Sequence, residues 1–270
     1  MCARFTLRTG AATIVDLFDL SEVPEMPPRY NIAPTQDVVA VVLDKHGEKR
    51  ARLLRWGLVP SWAKDPTIGQ RMINARREGI NDKPAFRKAF ERRRCLIPAD
   101  GFFEWMEVEE PAQEGAPAVS TGHAQQGLFG DEFPEAPGPP RNRQSAKRRT
   151  RKQPFYIGLT DFRPFAFAGL WEYWKGEDQE PLVTCTIITT EPNDLVRPMH
   201  DRMPVILPRE AHELWMDQSA PEDAVLGLLE PYPSAGMAAY PVDPIVNSPQ
   251  NEGPECVRPV ETDSTDLQER

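Results

Sequence analysis

The sequence predicts an α+β domain: an antiparallel sheet or half-open barrel with peripheral helices. Three observations carry that reading. Strand signals outnumber helix signals, the helix-period segments are few and short, and a polar stretch without periodicity at 107–152 interrupts them. Residues 2–7 alternate. Residues 38–43 are β-branched and apolar, and 51–56 follow a Lys-His-Gly turn, which predicts a hairpin. Residues 95–98, 102–105, 155–159, 165–170 and 182–189 are further short strands. Pro84 suits a helix start, and Ala85, Phe86, Ala89 and Phe90 repeat at helical spacing as far as Arg93. Residues 208–216 and 221–229 read as short helices.

The chain has 270 residues, enough to bury a core in one large domain or two small ones. Residues 107–152 are rich in Pro, Gly, Glu, Gln and Arg, and such a segment buries too little apolar area to offset its ordering entropy. It is expected to be a disordered insertion. Residues 246–270 turn polar again and are expected to be a disordered C-terminal tail. That leaves 1–106 plus 153–245 as one interrupted domain.

Composition excludes several classes. No apolar run approaches the length of a membrane span, and Asp16 and Asp19 break any signal-peptide core, so a cytoplasmic protein is expected. Cys2, Cys95, Cys185 and Cys256 are far apart with no CxxC, and the four histidines are scattered. Neither a disulfide framework nor a zinc site is expected. No metal and no cofactor is called for. The net charge of −9 hides an uneven distribution: +5 over 1–106, −7 over 107–140, +7 over 141–152 and −14 over 153–270. A basic amino-terminal part can meet a polyanion despite the acidic total, although a solvated charged face explains the same count.

The chemistry begins at residue 2. Initiator methionine is commonly removed before a small residue, which would leave Cys2 with a free α-amine and a thiol on adjacent carbons. An α-amine has a pKa of about 7.7–8.0, so part of it is neutral at pH 7 and able to attack an aldehyde. The tethered thiol then closes a five-membered thiazolidine ring with the advantage of an intramolecular reaction. Equally, Cys2 reads as a small buried residue at a strand start. Glu104 sits among Phe102, Phe103 and Trp105; in apolar surroundings such a carboxyl holds or passes protons near neutrality, and on an alternating strand it merely faces outward. His200 and Arg202, and likewise Asn74 and Arg76, are two residues apart, which in extended chain puts each pair on one face. Their imidazole can move protons, and a guanidinium can grip a phosphate. Trp56 and Trp62 flank a Pro/Gly turn, where a tryptophan is either buried or free to stack on a base.

These segments, in order MCARF, YNIAPTQ, WGLVPSW, INARRE, CLIPADGFFEW and MHDRMPVIL, resemble the SOS response-associated peptidase (SRAP) family, whose members crosslink to abasic sites in single-stranded DNA. The resemblance covers the whole domain. It implies a mixed α+β fold around an antiparallel barrel-like sheet, and abasic single-stranded DNA as partner. It implies Cys2 as the crosslinking nucleophile and Asn74 as a hydrogen-bonding partner of the opened sugar or the Cys2 amine. Glu104 would handle protons during imine and ring formation, and His200 would act as acid or base on the sugar. Arg4, Arg76 and Arg202 would contact phosphates, and Pro34 and Trp62 would line the DNA channel. Ala3 departs from the glycine usual in the family after the cysteine. Two other classes remain open: an N-terminal-nucleophile peptidase, including self-removal of Met1, and a noncovalent single-strand-binding module. In the insertion, Gln125, Leu128 and Phe129 fit the Q-x-x-L-F pattern resembling bacterial sliding-clamp-binding peptides, so the clamp is a second candidate partner.

Overall fold

The computed structural model describes residues 2–109, 150–177 and 179–260. The elements follow in chain order. The amino-terminal part holds strand β1 (Phe5–Leu7), helix α1 (Ala11–Phe18) and strands β2 (Arg29–Ile32), β3 (Asp37–Leu43), β4 (Lys49–Trp56) and β5 (Asn74–Arg76). Then come helix α2 (Arg87–Arg92) and strands β6 (Arg94–Ala99), β7 (Gly101–Glu109), β8 (Thr150–Leu159), β9 (Phe165–Trp174) and β10 (Leu182–Thr190). The rest holds β11 (Met203–Pro204), β12 (Ile206–Leu207), α3 (His212–Met216), α4 (Glu222–Leu226) and β13 (Met237–Pro241).

The expected hairpin is present: β3 and β4 pair antiparallel from Asp37↔Arg55 to Leu43↔Lys49. Strand β3 also pairs β6, β6 pairs β9, and β9 pairs β10, all antiparallel. β10 then returns to β4 through Thr184↔Arg55 and Cys185↔Trp56, and this pairing is parallel. The five strands therefore close into a barrel, not a half-open one. A ring with an odd number of strands cannot alternate direction throughout, so at least one parallel pair is obligatory. Beyond β4, the same edge of β10 is taken by β5, also parallel, with Asn74 opposite Ile187 and Arg76 opposite Thr189.

A second sheet has the order β13-β8-β7-β1-β2. Strand β1 lies between β2 and β7, with Phe5 opposite Phe102. Phe5 meets Trp56 edge-to-face at 5.2 Å and Phe167 at 5.7 Å, which docks β1 onto the barrel core. Asp100 accepts from the backbone N–H of Arg8 and of Thr9 and from the Thr9 hydroxyl, fixing where β1 ends.

The sheet turns sharply between β4 and β5, where two backbones touch. Gly57 has φ +129°, and a Cβ there would stand 2.7 Å from the Gly69 carbonyl oxygen. Gly57→Ala is expected to lower the urea unfolding midpoint by the equivalent of about 2–4 kcal/mol with an unchanged m-value.

The helices differ from expectation at their starts. The segment from Pro84 is a turn before α2, and Arg209–Ala211 is a 3-10 turn leading into α3. Helix α1 was not expected at all. Its Thr13-Ile14-Val15 run has low helix propensity, and burial of Ile14 and Phe18 on one face overrides it.

The expectation of a disordered tail from residue 246 fails over 246–260. Two 3-10 turns, Pro244–Asn247 and Pro254–Val257, bury Val246, Cys256 and Val257 against Phe103 and Tyr156 in a second apolar cluster. Of the 107–152 segment, a separate unit by its contacts, the described residues 107–109 and 150–152 are strand, the ends of β7 and β8. The rest of the expected insertion and residues 261–270 lie outside the described residues. No helix among the described residues is long and apolar enough to cross a membrane.

Candidate active site

The amino-terminal segment runs antiparallel to β7. The Phe103 N–H donates to the Arg4 carbonyl at 3.0 Å, which brings Cys2 alongside the carboxyl end of the Phe102–Trp105 run. Alternation on β7 then sorts its side chains. Phe102 enters the barrel core, Phe103 enters the second cluster, and Glu104 is left beside Cys2. Both site residues are buried, Cys2 at 0% and Glu104 at 3% exposure. Burial raises the Glu104 carboxyl from 4.5 to about 7. Burial, with the nearby Glu104 charge adding to it, pushes the Cys2 thiol well above its ordinary range. Cys2 is thus a small buried residue that lies next to a carboxyl whose protonated form burial favours.

Asn74 reaches the same place from β5. Its Nδ2 donates to the Cys2 carbonyl at 2.8 Å. Its Oδ1 is buried and accepts no hydrogen bond among the described residues. A buried amide oxygen left in this state is costly unless a donor arrives. His200 comes from the loop before β11, which pairs with Thr189 and Thr190 at the end of β10. The Asp201 carboxylate in this loop adds a smaller upward push to the Glu104 carboxyl. Two contacts compete for the His200 Nδ1: the Arg202 N–H at 3.0 Å and Asp201 Oδ1 at 2.8 Å. The first needs a lone pair on that nitrogen and the second a proton, so the ring can satisfy only one of the two at a time. Cys2, Glu104 and Asn74 therefore converge from three separate stretches of chain.

The predicted DNA contacts divide. Arg76 is exposed on β5, one pleat from Asn74, with buried Ala75 between them. Trp62 is 59% exposed, with its Nε1 donating to the Pro84 carbonyl at 3.4 Å. A cavity of about 490 Å³ adjoins it, lined also by Lys64, Gln70 and Arg71. A smaller cavity of about 90 Å³ shares Thr67 and Gln70 and extends to Thr35, next to half-buried Pro34. Trp56, by contrast, is fully buried and donates to the Ile73 carbonyl at 2.8 Å.

Two arginines are placed otherwise than expected. Arg202 forms a two-pronged ion pair with Glu78, at 2.8 and 3.0 Å, and donates to the Thr189 carbonyl at 2.6 Å. Arg4 points away into the 246–247 segment, donating to Asn31 Oδ1 at 2.8 Å, the Val246 carbonyl at 2.9 Å and the Asn247 carbonyl at 3.2 Å. Both guanidiniums are engaged within the protein. Sequence reasoning overlooked Asn31, Glu78 and Asp201. The signal for Asn31 was present, an amide in a strand otherwise entering the core. The residues Gln125, Leu128 and Phe129 lie outside the described residues. Among the described residues, no group of three or more His, Cys, Asp or Glu side chains is arranged to hold a metal ion.

A barrel with a buried cysteine at the second position, flanked by an amide and a carboxyl, defines a class. The chain belongs to the SOS response associated peptidase (SRAP) family, whose model matches residues 1–128 and 143–249. Among its relatives, the abasic site processing protein YoaM of Bacillus subtilis is 39% identical over 95% of this chain and 97% of its own length. YoqW of the same bacterium, also named an abasic site processing protein, is 38% identical over 95% of this chain and 99% of its own. The chicken abasic site processing protein HMCES is 32% identical over 87% of this chain and 67% of its own. A crystal structure of a Bacteroides thetaiotaomicron protein superposes with a TM-score of 0.74 at 24% identity, covering 96% of this chain and all of that one, and supports the fold.

Proposed function

We propose that this protein processes abasic sites in single-stranded DNA by forming a covalent thiazolidine with Cys2 after Met1 is removed. The α-amine of Cys2 attacks the aldehyde of the ring-opened sugar, and one water leaves as the imine forms. The thiol sulfur then adds to the imine carbon, and its proton ends on the nitrogen. A bare imine at this carbon invites β-elimination and strand breakage. Ring closure removes it, so a protective crosslink is expected in preference to cleavage, with lyase action as a side reaction.

The observation that carries this reading is Asn74: one end of its amide holds the Cys2 backbone while the other is a buried acceptor in need of a donor. The amine or a sugar hydroxyl supplies that donor. Glu104, poised at about 7, takes the proton released as sulfur attacks. The raised thiol favours this order of events, since the amine can react first and the thiol needs a base only at closure. The same burial works against a peptidase reading, in which a thiolate must open the attack. The names of YoaM, YoqW and HMCES support the substrate. The test is a denaturing gel of the protein with single-stranded DNA carrying one abasic site. A shifted band supports the proposal; amide turnover without a shift supports the peptidase.

The strand is expected to pass Trp62 and Arg76. Trp62→Ala should weaken binding of intact single-stranded DNA by about 1–3 kcal/mol with its salt dependence kept. Arg76→Ala should lower the slope of log K against log salt by about 0.7. Filter binding over a salt series reads both.

A further inference from the structure

Residues 244–260 form a strap packed behind the site, and its polar bonds converge on two side chains. Asn31 is fully buried on β2. Its Nδ2 lies within bonding distance of three strap carbonyls, Val246 at 3.1 Å, Ser248 at 2.9 Å and Asn251 at 2.8 Å. Its Oδ1 accepts from Arg4, whose guanidinium also spans the Val246 and Asn247 carbonyls. The strap is tied down independently at its edges. Trp105 Nε1 donates to Asn247 Oδ1 at 2.7 Å, and Glu252 accepts from the Arg29 side chain at 2.7 Å and from the Tyr30 N–H at 3.2 Å.

The backbone of Arg4 faces the other way. Its carbonyl accepts the Phe103 N–H at 3.0 Å and, at 3.8 Å, the Cys2 thiol. One residue therefore holds the strap with its side chain, and with its carbonyl holds both Cys2 and the residue before Glu104. A fork of three planar acceptors suits a guanidinium and not an ammonium.

We propose that Arg4 is a positioning residue: the strap, through Asn31 and the Arg4 guanidinium, sets the placement of Cys2 against Glu104. This rests on the crosslinking reading above, but it adds a role for the strap, whose last residues lie beyond the span matched by the family model. It also replaces the expectation that Arg4 binds phosphate.

The test compares Arg4→Lys, Arg4→Met and Trp105→Phe with the wild type, on crosslinking rate at saturating abasic DNA, on salt-dependent binding, and on alkylation of Cys2 by iodoacetamide. Both Arg4 variants should crosslink about tenfold or more slowly at saturation, as misplaced reacting groups do. Their binding and salt slope should be unchanged, and Cys2 should alkylate faster. Trp105→Phe removes one strap bond without touching Arg4, and should move both rates in the same directions by about threefold. It decides the matter if the Arg4 variants fail to fold. Rescue by Arg4→Lys, together with a salt slope lower by about 0.7 in Arg4→Met, would make Arg4 a phosphate contact and overturn the proposal. Unchanged Cys2 alkylation in all variants would also overturn it. A wild-type protein that forms no crosslink would refute the proposed function instead, while alkylation still judges the strap.

Discussion

Cys2→Ala is expected to abolish the denaturation-resistant band with abasic DNA while leaving binding of intact single strands in place. The loss is complete because the substitution removes the sulfur that converts a reversible imine into a ring. The amine remains, so imine chemistry and its β-elimination should persist. Strand breakage at the abasic site should therefore rise relative to capture, visible as shortened DNA on the same gel. The buried pocket keeps its shape, since alanine differs from cysteine there by one atom, and the cost in stability should stay near 1 kcal/mol.

Glu104→Gln is expected to have opposite effects on activity and stability. Crosslinking should slow by about 10²–10⁴, the range for loss of a positioned acid or base. The inflection near pH 7 in its rate profile should vanish, leaving the rise due to the α-amine at about 7.7–8.0. Stability should move the other way. The carboxyl is raised from 4.5 in the unfolded chain to about 7 in the folded one, so between these values the folded state binds more protons. The wild type consequently loses about 3 kcal/mol as pH rises through that window, and the loss is complete above it. Glutamine carries no charge and escapes it. The variant should be the more stable protein above pH 7 and nearly equal below pH 4.5, as read by urea unfolding across pH. Equal pH dependence in both proteins would show that Glu104 is not held protonated by burial. A residue that costs stability where it acts is what a proton-handling site requires.

Much of this was legible from local pattern. The β3–β4 hairpin, the central strands and the stretch carrying Glu104 announce themselves through alternation and turn residues. Cys2, Asn74, Glu104 and His200 could be singled out by chemistry and by resemblance, and the fold brings the first three together. Contacts between distant segments stayed hidden. Barrel closure depends on two residue pairs between β4 and β10, which no local period encodes. The strap is rich in Pro, lacks a helix or strand period, and reads as a tail. Its order comes from Arg4, 242 residues away in sequence from the carbonyl it binds, and from Asn31. The same bonds turned Arg4 inward, and an acidic neighbour, Glu78, claimed Arg202. An arginine in a motif declares a charge but not the partner that neutralises it.

Peptide mass spectrometry of the crosslinked product tests the chemistry most directly. The expected adduct lies on an amino-terminal peptide lacking Met1, heavier by the opened sugar less one water. Its sulfur should resist alkylation, and borohydride should leave it unchanged, because no imine remains. An adduct on any other residue, an intact Met1 in the crosslinked chain, or a Cys2 sulfur still open to alkylation would contradict it.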